Sequence, residues 1–424
     1  MDSKIRKVYA REVFSDRGHP GVEATVTTDD GASGVAIVTA GTSFGKYEVQ
    51  FLYDGGSRYK GKGVLRAVEN VNKIIAPALK GMDAARQQEI DEVLITLDGT
   101  PNKSKLGGNA TASVSAAVLK AAAASLEIPL YRYIGGASAC TLPVPGAGAI
   151  YGSDRYGGGE RAGTKPSYSF TAYGFKSFSE ASYACWEVSK ECERLLKERY
   201  YLNPQTRTIR HAPVPRGIVK HDRELWDLMI DTITNTGYSN RIGIQVDIAA
   251  GCYYDSKKDV FSGLFSEGDK TKEDLIELYK DMVAEYPFVI FEDPLDETDY
   301  AGHAVLTREL GIEIVGDDLF TTNPARLKQG IEVGACNAVL LKVNQIGTIT
   351  EAFDLVQLAY RNGYGIMPCS SRGEGVDIGD YAVGLDTGHI RESGTGSRGN
   401  RLLKIESELS SQARFPGKQG LKIK

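Results

Sequence analysis

The sequence is short of the features that mark membrane, secreted and nucleic-acid-binding proteins. It contains no apolar run as long as the roughly 18 residues of a membrane-spanning helix, so we expect no membrane partner. Residues 1–14 lack the apolar core of a signal peptide, which predicts a cytoplasmic protein. Because 50 Lys and Arg residues are balanced by 55 Asp and Glu residues, no basic surface is expected, and nucleic acid is not an expected partner.

Cysteine is also scarce, with six residues scattered over 424 positions and no CxxC pair. Cysteines spread out in this way are usually reduced and packed in the core, so no disulfide framework is predicted. The glycine-rich stretch at 151–167 lacks the strand–GxGxxG–helix context of a dinucleotide site, and we predict no such site there. With 42% hydrophobic and 25% charged residues, the composition is that of a globular protein long enough for two domains.

The most informative part of the chain lies at residues 243–345, where four short runs rich in Val and Ile each end on a charged residue. These residues are Asp247, Glu292, Asp317 and Lys342. Segments with helical spacing separate the runs, and buried strands that alternate with helices are typical of a parallel α/β sheet or a (β/α) barrel. The carboxyl ends of barrel strands meet on the face that carries the chemistry. We therefore expect three carboxylates and one amine in a single pocket.

This combination of side chains predicts metal-assisted acid–base chemistry. Three carboxylates from separate strands supply the oxygen ligands that a hard divalent cation such as Mg²⁺ prefers. A lysine beside a cation gives up its proton more readily, which suits a general base. The alternative interpretation is that the charges simply face water at strand ends, which is common for one residue but rare for four in succession.

The first third of the chain differs in pattern from the rest. Residues 3–60 alternate as β-strands do, with turns that predict an antiparallel meander. Helical spacing then predicts three helices, at 62–80, 82–98 and 109–126. Gly and Pro residues at 135–145 mark a linker, after which strands and helices alternate. We therefore predict an N-terminal α+β capping domain at 1–138 and a C-terminal (β/α) barrel domain at 139–424.

Several stretches are similar to segments of the enolase family: YKGKGVLRAVENVNKIIAPAL, LDGTPNKSKLGGNA, FEDP, DDLFTTNP, LLKVNQIGT and LLKIESEL. The resemblance runs from about residue 4 to about residue 410. It implies an α+β lid domain in front of a modified (β/α)8 TIM-like barrel, whose first two strands run differently from those of a regular barrel. It also implies a Mg²⁺-dependent lyase that removes a proton α to a carboxylate and then loses a β-hydroxyl, assembled as a homodimer or a larger ring of dimers.

The resemblance assigns roles to five residues by motif. Asp247, Glu292 and Asp317 stand at the metal-ligand positions, and Lys342, in LLKVNQ, stands at the general-base position. Ser43, in the loop AGTSFG, matches a mobile-loop serine that approaches a second metal ion. The residues of this loop agree with a lid, because glycines on both sides of its hydroxyls permit closure over a site. An enolate that forms on a carboxylate needs metal charge to neutralise it, which fits this set of residues.

The sequence departs from the family where the substrate is held. The family's Ser-His-Arg-Ser-Gly-Glu run reads Cys-Ser-Ser-Arg-Gly-Glu here, so Ser370 and Ser371 replace His and Arg, and Arg372 follows. The loop that reads Gly-Gly-Ser-His-Ala-Gly in the family has no His in this chain and contains Arg161. A hydroxyl does not replace a guanidinium that grips phosphate, so Arg161 and Arg372 are candidate contacts for an anionic group.

Positions that carry acid–base groups in the family differ too. The residues at 166–168 are Pro-Ser-Tyr where the family has Gln-Glu-Phe, and His211 falls where the family has an acidic Asp-Glu-Gly-Gly segment. Arg391 replaces the family's second lysine, which keeps the positive charge but not a ready base. We therefore predict three catalytic residues, Lys342, His211 and Arg391. We predict four substrate-binding residues, Ser370, Ser371, Arg372 and Arg161.

Our leading functional hypothesis is a Mg²⁺-dependent, enolase-like lyase that acts on an acid other than 2-phosphoglycerate. It rests on metal and base positions that persist while two catalytic carboxylates are missing, since each acid–base group contributes about 10²–10⁴-fold to a rate. The expected partner is a small carboxylate, with or without a second anionic group. Two alternatives remain: an authentic phosphopyruvate hydratase, which converts 2-phosphoglycerate to phosphoenolpyruvate, and a catalytically inactive enolase-like binding protein.

Overall fold

The chain begins with an antiparallel sheet and a group of helices and continues as strands that alternate with helices. A computed structural model describes residues 3–15, 18–39, 45–152, 156, 165–202, 211–370, 373 and 375–424. The strands are β1 (Ile5–Phe14), β2 (Pro20–Thr28), β3 (Ser33–Thr39), β4 (Gly146–Tyr151), β5 (Ser167–Ala172), β6 (Ala212–Pro213), β7 (Ile242–Asp247), β8 (Tyr254–Asp255), β9 (Val260–Ser262), β10 (Asp269–Lys270), β11 (Phe288–Glu292), β12 (Glu313–Gly316), β13 (Ala338–Leu341) and β14 (Gly365–Pro368). The helices are α1 (Leu65–Asn70), α2 (Ala76–Leu79), α3 (Gln87–Asp98), α4 (Gly108–Ser125), α5 (Leu130–Gly135), α6 (Phe178–Tyr200), α7 (Arg223–Asn235), α8 (Lys272–Glu285), α9 (Tyr300–Leu310), α10 (Pro324–Val333), α11 (Val343–Ile346), α12 (Ile349–Arg361), α13 (Ile378–Gly384) and α14 (Gly396–Leu409).

Strands β1, β2 and β3 form an antiparallel sheet in that order, as the alternating sequence predicts. The inner face of the sheet is apolar, with Val22, Ala24 and Val26 fully buried on β2. Helix α4 packs on this sheet at close range. A Cβ atom at Gly34 would lie 2.1 Å from the carbonyl oxygen of Ala117. Small residues on both elements therefore set the distance between the sheet and the helix.

Helix α4 is rich in Ala and buried along almost its whole length, because it lies between the capping sheet and helices α11 and α12. By length and hydropathy, no single helix in the described part of the chain could span a membrane. Helix α4 and the segment Leu130–Ser138 pass that test only together, as a pair bent by 94°.

The larger sheet has the strand order β14-β13-β12-β11-β7-β5-β4-β6. Strands β7, β11, β12, β13 and β14 are parallel to one another, whereas β5 is antiparallel to both β4 and β7. Bridges between Ile366 and Gly388 and between Val144 and His389 join β14 to the segment just before β4. The sheet therefore closes into a barrel that begins with the antiparallel pair β4 and β5, unlike a regular barrel, as the resemblance implies.

The strands that lead to the four charged residues are buried on both faces. Every residue of β7, β11, β12 and β13 is buried, as expected of parallel strands covered by helices. Asp247 and Glu292 are the last residues of β7 and β11, while Asp317 and Lys342 directly follow β12 and β13. Neighbouring parallel strands thus bring these side chains to the same face of the barrel.

A buried carboxylate joins the capping helices to the barrel. Asp91 Oδ2 accepts hydrogen bonds from the backbone N–H and the hydroxyl of Thr350, at 2.9 and 2.6 Å. Its Oδ1 accepts a hydrogen bond of 2.5 Å from Ser115 Oγ, which itself accepts one of 2.9 Å from the backbone N–H of Ile349. Asp91 and Ser115 thus satisfy the free N–H groups at the start of α12 and fix it against α3 and α4.

The exact domain boundary, between residues 138 and 139, stays a prediction.

We predict that Asp91→Ala lowers the free energy of unfolding by about 2–3 kcal/mol, because it leaves buried donors on α4 and α12 without a partner. Urea unfolding followed by far-ultraviolet circular dichroism measures the loss. Glu92→Ala is the matched control, because Glu92 is the exposed neighbour on the same helix. Its removal should change the free energy of unfolding by no more than about 0.5 kcal/mol. Equal effects of the two substitutions would contradict this role of Asp91.

Candidate active site

The ends of β7, β11, β12 and β13 bring the predicted carboxylates and the lysine together. Oxygens of Glu292, Asp293 and Asp317 lie within 4.8 Å of one another. Lys342 Nζ lies 2.5 Å from Asp317 Oδ2, and Asp247 stands opposite Glu292 in the parallel register. All five side chains are buried. The strand ends therefore form one acidic cluster with an amine at its edge.

Arg391 closes this cluster from another side. Its Nη1 donates to both carboxylate oxygens of Glu292 at 2.8 Å, and its Nη2 donates to Asp247 Oδ2 at 2.6 Å. The backbone N–H of Arg391 donates to the carbonyl of Pro368, which ties the segment to the end of β14. Burial disfavours the charged guanidinium, but the carboxylates around it, Glu292 foremost, raise the pKa of Arg391. This predicted position therefore carries a fixed positive charge inside the site.

Lys165 lies in the same cluster, although the sequence did not single it out. Its Nζ contacts Asp247 Oδ2, and its carbonyl oxygen accepts a hydrogen bond of 2.6 Å from the Tyr253 hydroxyl. Burial lowers the pKa of Lys165, and the positive charge of Arg391 lowers it further. Because β5 is antiparallel to β7, with Ser167 opposite Asp247, the start of β5 reaches the active face. A search of strand carboxyl ends misses such a residue, and the only signal for it is the reversed strand.

His211 contacts a second residue that the sequence did not reveal, Glu392. His211 Nε2 lies 3.1 Å from Glu392 Oε1 and 3.2 Å from Ser167 Oγ. Ser169 Oγ donates to the same oxygen of Glu392 at 2.8 Å. Burial by itself raises the pKa of Glu392, but His211 and Arg391 more than offset this and hold that pKa well below its ordinary value. Glu392 directly follows Arg391 in the sequence, and no motif marks it.

Asp293 orients the neighbouring acidic residue. Its carboxylate accepts hydrogen bonds from the backbone N–H groups of Asp317, Asp318 and Leu319, at 3.0, 2.8 and 3.4 Å. These N–H groups belong to the first three residues of the loop after β12. The carboxylate of Asp293 therefore fixes the backbone that carries Asp317. Burial and the nearby acidic residues raise the pKa of Asp293 well above its ordinary value, and the same causes raise the pKa of Asp318 to about 7.

Gln345 connects Asp317 with the capping domain. Its Nε2 donates to Asp317 Oδ1 at 2.7 Å and to Glu48 Oε1 at 3.4 Å, while its Oε1 accepts a hydrogen bond of 2.7 Å from Thr322 Oγ1. Glu48 Oε1 also accepts a hydrogen bond of 2.8 Å from the backbone N–H of Gly45. A path of side chains therefore leads from the acidic cluster to the edge of the predicted lid loop.

Four of the predicted residues lie outside the described part of the chain, and their roles stay predictions: Ser43, Arg161, Ser371 and Arg372. Ser370 is described, and its hydroxyl accepts a hydrogen bond from Nη1 of Arg398. Arg398, on α14, is only 7% exposed, and its Nε has no hydrogen-bond partner among the described residues. A buried guanidinium with an unused donor is well suited to an anion. No motif connected this arginine with the substrate.

The acidic cluster fits a hard divalent cation. Its donors are carboxylate oxygens, the ligands that Mg²⁺ prefers. Burial raises the pKa of Glu292 even though Arg391 and Lys165 act in the opposite direction, and nearby Asp317 raises it further. Burial thus leaves the carboxylate of Glu292 in need of a further positive charge beside it. Among the described residues, the carboxylates that converge closely enough to hold the ion are those of Glu292, Asp293 and Asp317, and the predicted ligand set of Asp247, Glu292 and Asp317 stays a prediction.

Comparisons with known proteins agree with the fold. The family model described as "Enolase, N-terminal domain" matches residues 5–134, and the one described as "Enolase, C-terminal TIM barrel domain" matches residues 139–424. The enolase of Methanopyrus kandleri is 45% identical over 427 residues, with 97% of each chain covered. That of Methanocaldococcus jannaschii is 44% identical over 423 residues, covering 96% of this chain and 97% of its own. That of Pyrococcus furiosus is 43% identical over 436 residues, covering 99% and 98%.

These findings correct our leading functional hypothesis, an enzyme for an acid other than 2-phosphoglycerate. It is wrong because relatives at 42–45% identity over nearly the whole chain are named enolase. The hypothesis rested on aligned positions alone, whereas the folded chain places Lys165 against Asp247, Glu392 against His211 and Arg398 against Ser370. The chain belongs to the enolase family and is a magnesium-dependent lyase.

Proposed function

We propose that this lyase is a phosphopyruvate hydratase, which removes water from 2-phosphoglycerate to give phosphoenolpyruvate. The observation that carries the proposal is the position of Lys342, whose Nζ lies 2.5 Å from Asp317 Oδ2 at the edge of the acidic cluster. An amine beside a set of oxygen ligands is what removal of a proton α to a carboxylate requires. The relatives named enolase, similar over almost the full chain, support the same reaction. The substrate class is a small-molecule carboxylate.

Asp247, Glu292 and Asp317 are the proposed ligands of Mg²⁺. When bound, the ion supplies positive charge that stabilises the negative charge developing on the substrate carboxylate as the α-proton leaves. Arg391 and Lys165 hold the side chains of Asp247 and Glu292 in place through ion pairs. Both cations also add to the positive potential that an anionic substrate meets.

Lys342 is the proposed base that accepts the α-proton. Its backbone N–H donates to Thr322 Oγ1 at 3.0 Å, and that hydroxyl donates to Gln345 Oε1 at 2.7 Å. Because Gln345 also donates to Asp317, the backbone of the base and one proposed metal ligand are fixed by the same two side chains. Lys342 is buried, which keeps bulk water away from the amine.

Further cations are placed to receive the negative groups of the substrate. Arg391 keeps its charge at the centre of the cluster, beside Glu292. We assign Arg398 and Ser370 to the phosphate, because Arg398 is buried and retains an unused Nε donor. Four predicted residues from outside the described ranges join this assignment, Arg161, Ser371 and Arg372 as anion contacts and Ser43 as a lid residue.

A homodimer or larger ring of dimers and a cytoplasmic location remain predictions for this chain. The exposed aromatic side chains of Phe14, at the end of β1, and of Tyr59 support a subunit contact at that end of the capping sheet. Phe14 and Tyr59 stack edge to face with centroids 5.4 Å apart, so they form one apolar patch. Size-exclusion chromatography with light scattering distinguishes a dimer from a monomer.

We predict that the purified protein forms phosphoenolpyruvate from 2-phosphoglycerate in MgCl₂. This reaction should stop when EDTA removes the metal. Lys342→Ala should lower kcat by about 10²–10⁴-fold, the contribution of one acid–base group. The rise in enol absorbance measures the rate. Lys404→Ala is the control, because Lys404 is an exposed lysine on α14. The kcat of this variant should be unchanged.

Two outcomes would count against this proposal. If the unsubstituted protein with Mg²⁺ forms no detectable phosphoenolpyruvate, the proposed phosphopyruvate hydratase activity is excluded. That result would favour an inactive binding protein. Full activity of the Lys342→Ala protein would leave the reaction in place but show that the base is another group.

We predict that Arg398→Gln raises KM for 2-phosphoglycerate about 10–100-fold, because a charge-assisted hydrogen bond contributes about 1.5–3 kcal/mol. The change in kcat should be smaller than the change in KM. Arg401→Gln is the matched control on the same helix, since Arg401 Nε already donates to Asp380 at 2.8 Å. It should lower the melting temperature and leave KM unchanged. Equal effects on KM would contradict an anion contact for Arg398.

A further inference from the structure

We propose that His211 and Glu392 are the proton donor for the second half of the reaction. In this inference, which rests on the proposed function, His211 gives a proton to the departing hydroxide and Glu392 is the residue that positions His211. The question arises because Ser167 and His211 stand where the family resemblance places acidic residues. Hydroxide is a poor leaving group, so a dehydratase needs a proton donor on this side of the site.

The contacts of the pair show a built arrangement rather than a surface ion pair. Glu392 Oε1 is approached by His211 Nε2 at 3.1 Å, by Ser169 Oγ at 2.8 Å and by Arg391 Nε at 3.4 Å. His211 Nε2 is also 3.2 Å from Ser167 Oγ. The side chains of His211 and Glu392 are only 13% and 11% exposed. The serines of β5 thus hold both members of the pair on the active face.

The groups around the pair keep Glu392 as an ionised partner for His211. Within the described ranges, the groups that face His211 are the Glu392 carboxylate, the two serine hydroxyls of β5 and the edge of the Tyr151 ring, whose centroid is 6.1 Å away. Burial raises the pKa of Glu392, but His211 and Arg391 hold it well below its ordinary value, so this carboxylate is ionised. An ionised carboxylate accepts a hydrogen bond from the imidazole and fixes the direction of its ring.

The pair and the proposed base lie on different sides of the acidic cluster. Strand β5 is next to β7, whereas Lys342 follows β13, beyond β11 and β12 in the sheet order. Arg391 spans the intervening space, because its Nε approaches Glu392 while its terminal nitrogens bind Glu292 and Asp247. A substrate carboxylate held at the cluster therefore has a base on one side and a proton donor on the other.

The chemical step balances in atoms and charge. Lys342 takes the α-proton, and the electrons of the broken C–H bond remain on the substrate as the enolate. Those electrons form the new C=C bond while the bond between the β-carbon and the hydroxyl oxygen breaks. The oxygen leaves with the electron pair of that bond and takes a proton from the imidazolium of His211, which gives water and a neutral imidazole. The proton gained by Lys342 and the proton lost by His211 are restored by exchange with solvent.

An isotope-exchange experiment separates the two halves of the reaction. In D₂O, proton NMR follows both exchange of the α-proton of 2-phosphoglycerate and formation of phosphoenolpyruvate. We predict that His211→Gln retains exchange within about fivefold, whereas its rate of phosphoenolpyruvate formation falls by about 100-fold or more. Lys342→Ala should lose both signals, because it removes the earlier step.

Substitutions of Glu392 test positioning. Glu392→Gln keeps the shape of the side chain but removes the negative charge next to the proposed proton donor, so the alkaline limb of the pH–kcat profile should move to lower pH. Glu392→Asp should recover part of both kcat and the original profile. A carboxylate with a purely structural role would lower stability without moving the profile.

A second buried His–Glu pair provides the matched control. His389 Nε2 lies 2.7 Å from Glu313 Oε1, and both side chains are buried. Glu313 begins β12, at the opposite end of that strand from Asp317, so this pair lies away from the active face. Glu313→Gln should lower the melting temperature and leave the pH profile and the ratio of exchange to elimination unchanged.

The outcomes distinguish this inference from the proposed function. If His211→Gln loses exchange and elimination together, or if Glu392→Gln shifts the pH profile no more than Glu313→Gln does, the proton-donor pair is overturned. If the unsubstituted enzyme with Mg²⁺ neither exchanges nor eliminates, the proposed function fails, and this inference falls with it. Melting temperatures of all variants identify any substitution whose effect is a loss of folding.

Discussion

Negative charge buried at the ends of the barrel strands is the constraint on which the rest of the site depends. Moving a carboxylate from water into a protein interior costs several kcal/mol unless cations and donors meet it. Asp247 and Glu292 therefore pair with Arg391, and Asp317 pairs with Lys342. Burial still raises the pKa of Glu292. This charge balance explains why the same side chains that keep the folded barrel stable also suit a divalent cation and an anionic substrate.

The reversed direction of β5 decides what one wall of the site contains. In a regular barrel the amino end of a strand lies on the face opposite the chemistry. Here β5 is antiparallel to β7, so its first residues, with Ser167 opposite Asp247, reach the active face. Lys165 and the two serines that hold the His211–Glu392 pair arrive by this route. One change of strand direction thus adds a cation and two hydroxyls to a cluster that the parallel strands supply with carboxylates.

The sequence was informative wherever a periodic pattern set the direction of a side chain. Asp247, Glu292, Asp317 and Lys342 could be placed together because buried parallel strands end on a common face. Lys165 could not, because a single sequence does not reveal that β5 runs the other way. The ends of elements were also less predictable than the elements themselves, since α3 begins at Gln87 rather than at residue 82. These ends depend on contacts with other segments.

Glu392 shows why the substrate hypothesis based on aligned positions was wrong. An alignment that compares single positions counts Ser167 and His211 as two lost carboxylates. It therefore predicts a large loss of activity on 2-phosphoglycerate. The reaction, however, needs a charge and a proton donor at a place in space, and any segment that reaches that place can supply them. The segment after the His389 bridge carries a carboxylate to within 3.1 Å of His211. A site that loses carboxylates at two positions but regains one from another segment keeps the means of acid–base chemistry, so the missing motifs did not by themselves argue for a different substrate.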